Sequence, residues 1–314
     1  MFDISSRQMM ETDMLNKYKG TLLGLAAGDA LGTTLEFTKP GTFAPISDMA
    51  GGGPFQLQPG EWTDDTSMAL CLAASLIEKG CFDPHDQMAR YVQWYRNGYM
   101  SSTGRCFDIG NTTRDALEKF LSTNDPYGGD TDPRSAGNGS LMRLAPVPMY
   151  FINHPSLTEY CGESSLTTHA AVEAVDACRY FGLLIARALQ GTAKTDLLAP
   201  GIRPQGRPIA PAIAEIADGS YKVKSPPQIQ GSGYVVRSLE AALWAFYTTT
   251  SFKDSVLAAV NLGDDADTTG AICGQIAGAF YGLEEIPDEW VAKIVYHDLI
   301  IKMATQLYLA SQSC

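Results

Sequence analysis

The chain has 314 residues, 45% of them hydrophobic, with seven cysteines and a formal net charge of −12. That length buries a large core in one big domain or two small ones, and the acidic balance excludes a nucleic-acid backbone or an anionic membrane as the main partner. A small anionic ligand is still admissible, because a local patch of N–H groups suffices to hold a phosphate. The cysteines, at 71, 81, 106, 161, 178, 273 and 314, form no C-x-x-C pair, and several fall inside apolar helical runs. That is the usage of reduced thiols filling space rather than of a disulfide framework. Met1–Arg7 lacks a basic segment leading into an apolar core, and no stretch is apolar for the length of a membrane helix. A soluble cytoplasmic protein is therefore expected.

Residues 1–13 are polar and are expected to form a flexible tail ahead of a single domain over 14–314. Leu15, Tyr18, Leu22 and Leu25 then mark one face of a helix, and Gly20, Gly24, Gly28 and Gly32 recur on it at every fourth position. Glycine inside a helix costs about 1 kcal/mol against alanine, so four in register call for a reason. Gly270, Gly274, Gly278 and Gly282 repeat the spacing near the other end of the chain. Two such stripes can pack backbone to backbone, which would lay the Gly20–Gly32 helix, leading to Glu36, against the helix opened by Asp265 and Asp267.

A glycine-rich loop at 51–54 leads to Trp62-Thr63-Asp64-Asp65-Thr66 and a helix that should end at Gly80. Asp86 is expected to cap the next helix, whose Met88, Tyr91, Val92 and Tyr95 form a core stripe. Cys106-Phe107-Asp108-Ile109-Gly110 precedes a further amphipathic run, and 122–139 reads as loop. Ser135-Ala136-Gly137-Asn138-Gly139-Ser140-Leu141-Met142 is a turn able to expose successive N–H groups, the usual means of holding a phosphate. One long helix is expected from Ser164 to Gln190, with His169 near its start. Residues 192–232 hold six of the seventeen prolines and form an irregular excursion, with at most one short helix near Ala212–Ala217, suited to a lid or rim. Helices over 234–250 and 253–261 and a final helix or broken pair complete an all-α globule of ten or more helices.

Asn261-Leu262-Gly263-Asp264-Asp265-Ala266-Asp267-Thr268 answers the Trp62–Thr66 stretch. Each half alone is an ordinary helix cap. Brought together, Asp64, Asp65, Asp265 and Asp267 concentrate four negative charges that repulsion forbids unless cations neutralise them. Oxygen-only donors favour two hard octahedral ions, Mg²⁺ or Mn²⁺, over Zn²⁺, in a central di-metal cleft.

With Gly28-Asp29-Ala30-Leu31-Gly32, Glu36 and the Gly137–Arg143 segment, these motifs resemble, in order, those of the ADP-ribosylglycohydrolase family. The resemblance implies a dimetal hydrolase that cleaves the N-glycosidic bond between ADP-ribose and arginine on modified proteins. It implies Thr63, Asp64, Asp65, Asp265, Asp267 and Thr268 as metal ligands, with Glu36 beside them. The segment from Ser135 through Gly137, Asn138, Gly139, Ser140 and Leu141 to Met142 would cradle the diphosphate, with His169 in contact. Asp65, Asp265 or Glu36 would orient the attacking water, and Glu36 or Asp108 would stabilise or reprotonate the leaving group. Serine-linked or small-molecule ADP-ribose conjugates are alternative substrates. A different class of reading is an immunity protein that binds a partner ADP-ribosyltransferase through residues 1–13; a third is a structural relative that has lost activity.

Overall fold

The computed structural model describes residues 4–313, with side chains from residue 11 onward. Its regular structure among these residues is helical, relieved by three isolated β-bridges. In chain order the helices are α1 (Ile4–Gly32), α2 (Asp64–Lys79), α3 (Pro84–Asn97), α4 (Asn111–Thr123), α5 (Pro146–Tyr150), α6 (Leu157–Leu166) and α7 (Val172–Leu189). They continue with α8 (Lys194–Leu197), α9 (Pro211–Ala217), α10 (Val235–Thr248), α11 (Phe252–Val260), α12 (Ala266–Tyr281), α13 (Asp288–Lys293) and α14 (His297–Ser311).

The centre is the pair α1 and α12, which make the most extensive helix contact of the fold. From Tyr18 to Leu31 the apolar side chains of α1 are buried on every side, as are Ala271, Ile272, Cys273, Ile276 and Ala277 of α12. A helix buried all round has no solvent face to keep polar. The two glycine stripes meet as their spacing predicts. A Cβ at Gly28 would stand 2.0 Å from the carbonyl oxygen of Gly270, one at Gly274 2.0 Å from that of Gly24, and one at Gly278 1.9 Å from that of Gly20. No side chain fits between these backbones.

Four expectations change. The stretch 4–13 is helical, since α1 begins at Ile4; Met1–Asp3, like Cys314, lie outside the described residues. Arg7, Gln8, Met9, Met10 and Glu11 are good helix formers, and extending an existing helix costs far less than nucleating one. The cap of α3 is Asp83, whose carboxylate accepts from the Asp86 N–H at 3.0 Å ahead of Pro84 at the first helical position. The long helix expected from Ser164 to Gln190 is two, α6 and α7, broken at 167–171, where Ser165 Oγ donates to the His169 carbonyl at 2.7 Å. The proline-rich excursion is less open than a lid. It carries α8 besides the expected short helix, α9, and buried Asp176 of α7 holds it by accepting from Arg207 and from the Ala210 N–H, both at 2.8 Å.

The glycine contact yields a test by thermal unfolding followed by circular dichroism. Gly274→Ala should cost about 3 kcal/mol or more, the upper end for overpacking, because backbone must move. Gly41→Ala has nothing within 4 Å of the new methyl and strains only a φ of 76°, so it should cost about 1 kcal/mol. Equal losses for the two variants would mean that close approach does not hold the centre together.

Candidate active site

Helix α2 begins without a cap of its own: the Thr63 side chain makes no capping bond to the first turn. Asp29 of α1 supplies it from across the interface. Its Oδ1 accepts from Thr63 N–H at 2.9 Å and Thr63 Oγ1 at 3.0 Å, and its Oδ2 from Thr66 N–H at 3.0 Å and Thr66 Oγ1 at 2.6 Å. Asp29 therefore spends both oxygens on seating the Thr63–Thr66 turn. On the α12 side, a Cβ at Gly32 would stand 2.3 Å from the Asp267 Cα, so the start of α12 lies directly against the end of α1.

These contacts bring the two acidic halves together. Asp29, Asp65 and Asp267 each offer a carboxylate oxygen within 4.8 Å of the others, and so do Glu36, Asp108 and Asp267. Thr63 Oγ1 lies 2.9 Å from Asp65 Oδ2 and 3.5 Å from Asp267 Oδ2. Three oxygens of this floor, Glu36 Oε2, Asp65 Oδ1 and Asp267 Oδ1, are buried with no hydrogen-bond partner. A buried carboxylate oxygen without a donor is costly, and a cation is the partner such oxygens fit.

The electrostatics agree. Burial, with the neighbouring Asp108 next in effect, pushes Glu36 up to about 10. Burial and then the Asp29 charge push Asp108 up to about 7. Asp29 itself rises to about 6 by burial, although its four hydrogen bonds pull the other way. Asp64, Asp65 and Asp267 are held well above the usual carboxylate range, first by burial and then by neighbouring carboxylates. Asp265 is raised by burial while Asn138 opposes the rise.

Above this floor lies a cleft of about 320 Å³ lined by Glu36, Asp64, Asp108, Asp265, Asp267 and Thr268 on the acidic side. Gly137, Asn138, Gly139, Met142 and His169 line it too. Asn138 joins the two sides, its Nδ2 donating to Asp265 Oδ2 at 2.6 Å and its N–H to the Gly233 carbonyl at 3.1 Å. The break between α6 and α7 delivers His169, whose Nδ1 pairs with Thr168 Oγ1 at 2.9 Å. Burial, then nearby Arg143, pushes His169 down to about 3, so the imidazole is neutral. Its ring fills the space over Gly139, where a Cβ would stand 2.7 Å from Cε1.

Three residues expected to touch substrate face elsewhere. Ser140 pairs its hydroxyl with Ser165 at 2.7 Å inside the core, and Leu141 is fully buried with its N–H on the Asn138 carbonyl. Ser135 donates its hydroxyl to Asp130. Successive turns from Asn138 to Leu144 carry the chain down into the core, which takes the Ser140 and Leu141 side chains inward. The sequence places Asp29 on the glycine-striped helix but does not reveal its anchoring of α2, for which a carboxylate inside an otherwise apolar helix is the signal. A second cavity, about 580 Å³ and lined by Lys194, Lys222, Tyr247 and Tyr281, has no carboxylate in its wall. Its two ammonium groups are occupied by the Thr249 and Leu198 carbonyls.

With this geometry in place, comparison with known proteins is decisive. The profile of the ADP-ribosylglycohydrolase family matches residues 10–314. The chain belongs to the ADP-ribosylglycohydrolase family. Members of this family hydrolyse glycosidic bonds, and this chain is an enzyme of that class. It is 46% identical over 301 residues to the ADP-ribosylarginine hydrolase Tri1 of Serratia proteamaculans, covering 95% of this chain and 80% of the relative. It is 33% identical to the ADP-ribosyl-[dinitrogen reductase] glycohydrolase of Rhodospirillum rubrum, covering 88% and 89%. A solved structure of an ADP-ribosylglycohydrolase-related protein complex superposes with a TM-score of 0.86 at 43% identity, covering 96% of this chain and 99% of its own. The all-helical single-domain fold is thus the family fold, with an acidic cluster able to hold metal. No helix among the described residues is long and apolar enough to cross a membrane.

The raised carboxyl values predict a pH dependence. Such groups hold protons in the folded chain that the unfolded chain has already released, so cation-free protein loses stability as pH rises above the ordinary carboxylate range. The loss continues through about 7 for Asp108 and toward about 10 for Glu36. In EDTA the thermal midpoint should fall between about pH 5 and about pH 8, and added Mg²⁺ or Mn²⁺ should raise it more at the higher pH. A midpoint that climbs with pH in EDTA and ignores both cations would show that the cluster is not a cation site.

Proposed function

We propose that this chain removes ADP-ribose from arginine on modified proteins by hydrolysing the N-glycosidic bond, with two divalent ions held in the acidic cleft. One observation carries the reading. Three donor-less buried oxygens, on Glu36, Asp65 and Asp267, belong to two groups of carboxylates that share Asp267 at the cleft, in a chain closely similar to ADP-ribosylarginine hydrolases. The donors are oxygens, which suits Mg²⁺ or Mn²⁺. Thr63, Asp64, Asp65, Asp265, Asp267 and Thr268 would hold the ions, while Asp29 braces the turn that carries the first three. Bound there, the ions supply Lewis acidity and a water acidic enough to serve as nucleophile near neutral pH.

The chain's own residues do the rest. Gly137, Asn138 and Gly139 present a side-chain-poor surface for the diphosphate, and neutral His169 beside them adds bulk without a charge that would fix the anion too tightly. Asp65 and Asp265 orient the water, the latter held in place by Asn138. Glu36 and Asp108 stand together at Asp267. Asp108, which lines the cleft beside Glu36, would face the positive charge that develops at C1 as the bond to the guanidine breaks. Buried unpaired cysteines at 71, 161, 178 and 273 fit a reducing, cytoplasmic setting.

The test is a panel of arginine-linked and serine-linked ADP-ribosyl proteins, incubated with Mg²⁺, Mn²⁺ or EDTA. Release should be confined to the arginine linkage and abolished by EDTA. Asp65→Asn and Asp267→Asn should each lower it at least about a hundredfold while keeping a native circular dichroism spectrum. Full activity in both variants, or equal release from serine, would refute the assignment.

A further inference from the structure

One large apolar side chain at the cleft has no part in the chemistry described so far. Phe37 follows Glu36, lines the cleft and leaves 68% of its surface exposed. Its backbone lies in the left-handed region, φ 57°, which aromatic residues rarely adopt. Two hydrogen bonds keep it there. Phe37 N–H donates to the Asp264 carbonyl at 2.6 Å, and Asp264 N–H donates to the Thr38 carbonyl at 2.8 Å. The backbone that carries the ring is thus pinned to the loop that carries Asp265, and the two residues before it, Leu35 and Glu36, are buried. An aromatic ring held in water at the mouth of a polar site is unfavourable unless something covers it.

We propose that Phe37 recognises the arginine side of the substrate, presenting its ring face to the guanidinium group. The inference rests on the arginine linkage proposed above. A guanidinium is planar, delocalised and weakly hydrated, and it stacks on aromatic faces. Charge around the ring favours a cation, since Asp108 and Asp264, neither of them assigned to the ions, line the same cleft. The diphosphate has its own place at Gly137–Gly139, beside neutral His169 and Gly233. Phe37 belongs instead to the Glu36 segment, where the bond to the leaving group is cleaved, so the part of the substrate beyond C1 falls to its ring. A neutral or anionic leaving group gains nothing from that surface.

The experiment compares wild type, Phe37→Leu and Phe37→Tyr with Mn²⁺ present. Leucine keeps the apolar bulk and loses the ring face; tyrosine keeps the face. The substrate is ADP-ribosyl-agmatine, a guanidine conjugate with no protein attached, and ADP-ribose serves as a competitive inhibitor that lacks the guanidine. Phe37→Leu should raise KM for the conjugate about three- to tenfold with kcat changed less, leave the inhibition constant of ADP-ribose within about twofold, and be rescued by Phe37→Tyr. An unchanged KM in Phe37→Leu overturns the proposal while the arginine reading stands. An equal rise in the ADP-ribose constant overturns it as well, placing the ring on ADP-ribose itself. Wild type that binds ADP-ribose but does not release agmatine would sink the arginine reading and this inference with it.

Discussion

The contact of two backbones, α1 against α12, is the constraint from which the site follows. Each glycine on that line weakens its own helix by about 1 kcal/mol, and the compensation is an approach no side chain would allow. Gly28 faces Gly270, and the next residue on α1 is Asp29; Gly32 faces Ala266 and Asp267. The acidic residues therefore sit at one end of the line of close approach. A thicker interface would carry Asp267 away from Asp65 and leave two separate helix caps in place of one cluster.

Such proximity has an electrostatic cost, and the structure divides it. Asp29 is stabilised by four donors from Thr63 and Thr66, which turns one carboxylate from a repelled charge into the anchor of α2. Asp265 is held by Asn138. Glu36, Asp65 and Asp267 keep an oxygen each without a donor, so the part of the cost left uncompensated is confined to where cations would sit. The opposite side is managed differently. Arg143, buried 4.6 Å from the Tyr91 ring centroid, donates to the Gly139 carbonyl at 3.0 Å and to Thr168 Oγ1 at 2.8 Å. It fixes the turn and, through Thr168, the histidine, which burial first and then the Arg143 charge keep neutral.

Much of this was legible in the residues because the relevant signals are periodic or local. Glycine every fourth residue in two distant segments specified both the helices and their pairing, and doubled carboxylates ahead of apolar runs specified what the pairing assembles. Asp29 was less legible. A carboxylate within an apolar helix says that a partner exists, but the partners, Thr63 and Thr66, lie 34 and 37 positions away, and half of what they donate is backbone N–H, which carries no sequence signature. The break at 167–171 was hidden for a related reason: Thr167, Thr168 and His169 do not interrupt helical periodicity, and the helix ends there through side-chain bonds at Ser165 and Thr167 together with backbone pairing to the distant Gly129–Asp130 segment. Ser140 and Leu141 show the converse limit, since a motif names a segment and not which of its side chains face the ligand.

The rim follows from the rigidity of this frame. Phe37, Asp108 and Asp264 all have left-handed backbones, at φ 57°, 59° and 59°, a conformation that costs on the order of 1–3 kcal/mol at each non-glycine position. Two are acids lining the cleft and the third adjoins Glu36. They lie on different connections, yet the connections are tied to one another. Gly53 packs on the Thr33 carbonyl, Thr34 donates to the Gly51 carbonyl at 2.9 Å, and the same turn sets Phe55 against Phe107 with ring centroids 5.2 Å apart. Strain of this kind persists only where the surroundings over-determine it. Here the surroundings are the glycine-locked helix pair below and these cross-links above, so side chains that flexible loops would let drift are held at fixed positions around the cluster before any substrate arrives.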